Sequence, residues 1–380
     1  MNPLDVVAPA YGTGSLADLL PSVSAVLGVP GATDVLGLGG TLGEEVDRVA
    51  VLLVDGLGAY QVDEVTRHAP ILAELNARTL TSGFPSTTPV SLATLGTGVP
   101  PGTHGILGFT VRKPDGGVLN HIQWAADPDP LRWQPAPTRF ETAVAAGVPA
   151  TLVTEPAFRG SGLTRACYRG ATFVGAASYA DRATAVLTAL QQPGLVLSYV
   201  GDLDHHGHGS GVGSPEWVAA AVAVGELISR LVSSLPARSA LVVTADHGQL
   251  NIPFGEARVD LSLSPELSNG IIGVAGEPRV RYLHTAPGAV DDVVAAYRGR
   301  LGATALVLRR DEAIDAGWYG PVPDEHRSRI GDVVVACLAD TIVLASAFEP
   351  PSVGRLVAYH GSLTAIEMTV PLLSFVRPPH

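Results

Sequence analysis

Short runs of Val, Leu and Ala that end abruptly in polar, glycine-containing loops recur along much of the chain. Val49 to Val54, Leu195 to Val200 and Leu241 to Thr244 are the clearest. They are continuously apolar instead of alternating, as parallel strands are when helices cover both faces of a sheet. Between them lie helical stretches at Thr138 to Ala146, Ala180 to Gln191 and Pro215 to Leu235, the last with Ser214 as N-cap and Pro215 in its first turn. Strands alternating with helices predict an α/β fold with a central, mostly parallel sheet sandwiched by helices. Residues 255–330 read differently. A weak strand at Arg279 to Leu283, a helix at Ala289 to Leu301, a strand at Ala305 to Leu308 and a helix start at Asp311 predict a small inserted α+β cap. The catalytic domain is then expected to comprise residues 1–254 and 331–380. A second, loop-rich insertion, 105–137, carries His121, Trp124 and Trp133.

With 380 residues and 46% hydrophobic content the chain can bury a large core. Its net charge of −12, from 36 acidic against 24 basic residues without a Lys/Arg cluster, disfavours docking on a nucleic-acid polymer or an anionic membrane. Cys167 and Cys337 are far apart and fit neither a disulfide framework nor a thiolate metal site. The first twenty residues lack a basic region followed by an apolar one, and no segment reads as long enough for a membrane span, so a cytoplasmic location is expected.

Functional groups in open α/β sheets gather beyond the carboxyl ends of strands. The first apolar run ends in Asp55-Gly56, the second in Gly201-Asp202-Leu203-Asp204-His205-His206-Gly207-His208, and the third in Asp246-His247-Gly248; Tyr359-His360-Gly361 lies near the C-terminus. Asp55 alone would read as a helix cap, but four such clusters, three with a histidine beside glycine, do not read as independent caps. Asp55, Asp204, His208, Asp246, His247 and His360 are therefore the candidate ligands for two divalent cations. Carboxylate and imidazole donors without thiolates suit zinc, with manganese as the alternative. His205 and His206 read as loop or outer neighbours, and Asp202 as an outer partner of the ligands.

A hydroxyl at a helix N-terminus faces unpaired N–H groups and the positive end of the helix dipole, a setting that binds phosphoryl oxygens. In Ser86-Thr87-Thr88-Pro89-Val90-Ser91, Pro89 fits the first helical turn, which predicts Thr88 as N-cap and candidate nucleophile, with Thr87 as the alternative. An aromatic pocket for a base or leaving group is expected from Trp124, Trp133 and Tyr60, or from Trp318 and Tyr319.

In order and spacing these motifs resemble the alkaline phosphatase superfamily and, within it, the nucleotide pyrophosphatase/phosphodiesterase group. The resemblance spans about residues 49–373. It implies one metal held by Asp55, Thr88, Asp246 and His247 and the other by Asp204, His208 and His360. Thr97-Gly98, Pro100, Pro101, His104 and Gly105 resemble the group's segment after the nucleophile, and counting back reaches Thr88. Members often carry Phe-Pro directly after the nucleophile, whereas Pro89 follows Thr88 here. The group's substrate-side Asn has no evident match, with Ser91 and Asn120 as stand-ins, and no arginine near Thr88 matches the phosphate clamp of the monoesterases. The modified Cys/Ser motif of arylsulfatases is not found near Thr88. The implied activity is hydrolysis of phosphodiester or pyrophosphate bonds in small, nucleotide-like substrates through a phosphothreonine at Thr88. The rival readings are a phosphomonoesterase or phosphonate hydrolase of the same superfamily, and a non-catalytic metal- or nucleotide-binding protein.

Overall fold

The computed structural model describes residues 2–379. Seven strands form the main sheet in the order Asn76–Thr81, Thr369–Arg377, Ser239–Thr244, Arg48–Val54, Gly194–Val200, Ala150–Thr154 and Thr172–Gly175. Arg48–Val54 pairs in parallel with both neighbours, Leu53 facing Tyr199 on one side and Thr244 on the other. Only Thr369–Arg377 runs against the rest, antiparallel to Ser239–Thr244 and to Asn76–Thr81. From Val49 to Val54 every residue is buried, as the continuous apolar runs predict for a sheet covered on both faces. Covering helices include Leu16–Val26, Thr88–Thr97 and Pro215–Ser234. By length and composition Pro215–Ser234 is apolar enough to cross a membrane, which corrects the expectation that no segment reaches that length. Its Trp217, Val224, Ile228 and Leu231 are buried in the core.

A second sheet of four antiparallel strands, in the order Ile271–Glu277, Val280–Thr285, Val333–Cys337 and Ala305–Arg309, packs under the helix Val290–Leu301 with its own apolar core. Val333–Cys337 lies inside this sheet, between Val280–Thr285 and Ala305–Arg309. Ile342–Leu344 pairs with Arg258–Asp260. The inserted unit therefore continues past the expected boundary at residue 330. Its hairpin tip is pinned to the main body by the buried ion pair of Arg279 and Glu367. Glu367 also accepts the N–H of Ser362, two residues from His360, and its carbonyl accepts from Gly248.

Candidate metal centre and active site

The topology brings the polar clusters to one edge. Arg48–Val54, Gly194–Val200 and Ser239–Thr244 are adjacent and parallel, so the loops at their carboxyl ends place Asp55, Asp204, Asp246 and His247 together. The opposed strand Thr369–Arg377 starts at the same edge, which delivers His360 from the preceding loop. Close packing demands glycine here. Gly56 has φ +74°, and a Cβ on it would lie 3.1 Å from the Asp204 backbone. At Gly248 a Cβ would lie 2.0 Å from the carbonyl of Ile366.

Each histidine is oriented from behind. Nδ1 of His208 faces the Ala358 carbonyl at 2.8 Å, that of His360 the Ser86 carbonyl at 2.9 Å, and that of His247 the Gly248 carbonyl at 3.3 Å. All three Nε2 lone pairs are thereby left for the centre of the site. His247 Nε2 lies 3.3 Å from Asp246 Oδ2, 3.5 Å from Asp55 Oδ1 and 3.2 Å from Thr88 Oγ1. The rings of His247 and His360 stack at 3.5 Å, and His208 Nε2 lies 3.2 Å from His360 Nε2 and 3.4 Å from Asp204 Oδ2. Tyr199 donates to Asp55 Oδ2 at 2.5 Å, Gln249 donates to Asp204, and the N–H groups of Gly56 and His247 donate to Asp246 Oδ1.

These residues fit a metal centre on their own chemistry. Asp55 Oδ1 and Asp246 Oδ2 are buried without any hydrogen-bond donor, and both face His247 Nε2. Burial raises the Asp55 carboxyl well above its ordinary range, and the neighbouring Asp246 and Asp204 raise it further; Asp246 and Asp204 are also raised, chiefly by burial. Burial lowers His247 and His360, the latter also through its two histidine neighbours. Crowded acids that resist ionising beside imidazoles held neutral constitute a donor set that a divalent cation would satisfy. In each of two groups the ligand atoms lie within 4.8 Å of one another: Asp55, Asp246 and His247 in the first, and Asp204, His247 and His360 in the second.

The family model of type I phosphodiesterase / nucleotide pyrophosphatase matches residues 49–362. The chain belongs to this family. Asp55 and His360 both lie inside the match, so all the candidate ligands fall within the matched residues. Among solved structures the chain is similar to murine ectonucleotide pyrophosphatase / phosphodiesterase 5, with a TM-score of 0.70, 19% identity and coverage of 87% of this chain and 88% of that one. An inactive variant of that murine protein, in complex with AMP, matches at 18% identity with the same TM-score and coverage. Phosphonoacetate hydrolase from Sinorhizobium meliloti 1021, in complex with phosphonoacetate, matches with a TM-score of 0.65, 20% identity and coverage of 88% and 91%. No curated protein matches. The likeness to solved structures establishes the alkaline phosphatase-like α/β fold expected from the sequence.

Several expectations change. The helix runs from Thr88 to Thr97 with Thr87 as N-cap, so Thr88 occupies its first position and not the cap. Thr88 is half-buried and open to a pocket, whereas Thr87 is fully buried. Trp124, Trp133, Trp318 and Tyr319 are core residues; Trp133 donates to His121, which faces the carbonyl of Gly108. The pocket beside Thr88 has a volume of about 230 Å³ and is walled by Leu92, Phe158, Leu163, Tyr168 and Tyr199. Asp202 is exposed and interacts with Tyr179, and Gln249 takes the outer role expected of Asp202. Ser91 is tied to Ser82, and Asn120 caps the N–H groups of Ile122 and Gln123. Sequence reasoning missed Tyr199, Gln249 and Phe158. Tyr199 did leave a trace, as the one large side chain with a polar tip in an apolar strand, two residues before the loop of Asp204.

Proposed function

We propose that the chain hydrolyses phosphodiesters of nucleotide-like compounds, with Thr88 as nucleophile and a phosphothreonine as intermediate. The observation that carries this reading is the position of Thr88 Oγ1, 3.2 Å from His247 Nε2 and 3.4 Å from Asp55 Oδ2, at the mouth of an apolar pocket. Two divalent cations, zinc by the donor set, held by Asp55, Thr88, Asp246 and His247 and by Asp204, His208 and His360, would supply the positive charge that activates the hydroxyl and offsets the phosphoryl oxygens. The Thr88 oxygen displaces the leaving group in line, and water then attacks the phosphorus of the phosphothreonine, which still carries the retained group, releasing that group as its phosphate monoester and returning the Thr88 hydroxyl. Thr88 and Val90 open the helix, and their N–H groups lack intrahelical acceptors, so they are available to the phosphoryl oxygens. Tyr199 holds Asp55 from behind, and Gln249 does the same for Asp204.

The group retained on phosphorus fits the pocket of Phe158, Tyr168 and Tyr199, whose flat apolar walls suit a nucleobase. AMP bound by the similar murine protein supports the same class. No lysine or arginine lines this pocket among the described residues, which weighs against phosphonoacetate or a monoester, whose extra negative charge would need one. The test is a panel on zinc-loaded protein: thymidine 5′-p-nitrophenyl phosphate, p-nitrophenyl phosphate and phosphonoacetate. The diester is expected to lead in kcat/KM by about a hundredfold or more, a transition-state difference of about 2.7 kcal/mol. Preference for either of the other two would overturn the reading.

A further inference from the structure

A second chamber, of about 400 Å³, opens between the main body and the inserted unit. It touches His208 and His360 but not Thr88, whereas the pocket of Phe158 touches Thr88 and neither of those histidines. Across the site the order is Thr88, His247, His360, His208. If Thr88 attacks, in-line displacement sends the leaving group away from it, toward His360 and His208. We propose that this chamber receives the leaving group and selects an alcohol or phenol without negative charge over a phosphate or pyrophosphate. The inference rests on the reading of Thr88 as nucleophile.

The selection follows from the chamber's electrostatics. Its walls include Phe109, Val274, Phe348 and Leu356. Among its described lining residues Arg281 is the one guanidinium or ammonium, and it is already engaged. Its Nη2 donates to both carboxylate oxygens of Glu349 at 2.7 Å, and its Nε donates to the Val343 carbonyl at 2.6 Å. That pair is neutral as a unit. Glu277, buried on the same wall, adds a further carboxyl whose Oε1 has no hydrogen-bond donor. Cations on the neighbouring hairpin turn elsewhere: Lys113 pairs with Asp115 and Asp127, and the Arg112 guanidinium lies against Gly116. Beyond the cation that His208 and His360 would hold at its inner end, a departing pyrophosphate would shed water against apolar walls and acids, with no unpaired guanidinium or ammonium among the described lining residues to meet it. An alcohol or phenol meets apolar surface and carboxyl acceptors.

The test holds the retained group fixed and changes only the leaving group. Thymidine 5′-p-nitrophenyl phosphate releases a phenol and dTTP releases pyrophosphate; both are assayed on zinc-loaded protein with excess magnesium. The nitrophenyl ester is expected to exceed dTTP in kcat/KM by at least about a hundredfold, the size of one uncompensated charge contact. Phe348→Lys, at a half-exposed rim position, is expected to raise dTTP relative to the ester by about tenfold. Should that variant not fold, Ser352→Lys on the same exposed rim supplies the same charge. Cleavage of dTTP as fast as the ester would overturn this inference and leave the phosphodiesterase reading standing. An unchanged ratio in the lysine variant would move the leaving group out of this chamber. Turnover of neither substrate would overturn both readings.

Discussion

The buried pair Arg279 and Glu367 links the inserted unit to the edge that carries the candidate metal ligands, and its coupling energy can be anticipated. Both side chains are fully buried, with Nε to Oε1 at 2.9 Å and Nη2 to Oε2 at 2.6 Å. Arg279 also donates to the carbonyls of Ala339 and Thr341, and Glu367 accepts from Ser362 and Thr364. Removing one partner leaves a buried charge uncompensated, which costs about 3–5 kcal/mol. We take about 3 for Arg279→Met, where the carboxyl can protonate and keep its other donors, and about 4 for Glu367→Gln, where the guanidinium cannot lose its proton. In the double variant both charges are gone and mainly unpaired dipoles remain, for a cost of about 4 kcal/mol and a coupling of about 3 kcal/mol. With 380 residues the unfolding entropy is about 0.8 kcal/mol/K, so Arg279→Met lowers Tm by about 4 °C and Glu367→Gln by about 5 °C. Denaturant titration of the four proteins with zinc present measures the cycle. Additivity within about 0.5 kcal/mol would refute the pair as a coupled joint.

Tyr199→Phe removes the hydroxyl that holds Asp55 and is expected to lower zinc affinity or kcat by about 10- to 100-fold while the fold is retained; competition with a chromophoric chelator and steady-state rates measure it, and unchanged values would exclude the role. His121 is buried, accepts from Trp133 and is depressed to about 4 by burial. A folded value below the unfolded 6.5 means that its stabilisation is present above pH 6.5 and is lost as the pH falls from there toward 4, by up to about 3 kcal/mol. His121→Gln keeps an acceptor for Trp133 without the titration, so its stability should fall less between pH 7 and pH 4.5 in urea titrations; an identical fall would assign the acid sensitivity elsewhere.

Buried apolar runs were legible because a strand covered on both faces needs every side chain apolar, and Arg48–Val54, Gly194–Val200 and Ser239–Thr244 lie within a few residues of their predicted spans. The same property hid the end of the insertion. Val333–Cys337 is an equally buried run, and nothing local in Val-Val-Val-Ala-Cys says which of two sheets it joins. Thr172–Gly175, an edge strand with exposed ends, left too little pattern to be read. At the site, Asp and His types beside glycine could be read because the chemistry restricts them. Where the aromatic walls would stand could not, since Phe158 and Tyr199 approach from separate elements while the tryptophans that drew attention fill the core. The cap position shifted by one residue because Pro89 fits the second helical position as well as the first.

Whether Thr88 attacks phosphorus is read out by acid quenching during turnover of thymidine 5′-p-nitrophenyl phosphate, followed by tandem mass spectrometry of the peptide carrying Thr87 and Thr88. Thymidylate esterified to Thr88 Oγ1 is expected in the wild type, because the thymidine stays on phosphorus when the nitrophenol leaves. Turnover is expected to fall by about a thousandfold or more in Thr88→Ala with the divalent metal content retained. Thymidylate on Thr87, or near-normal turnover by Thr88→Ala, would contradict the assignment of Thr88 as nucleophile.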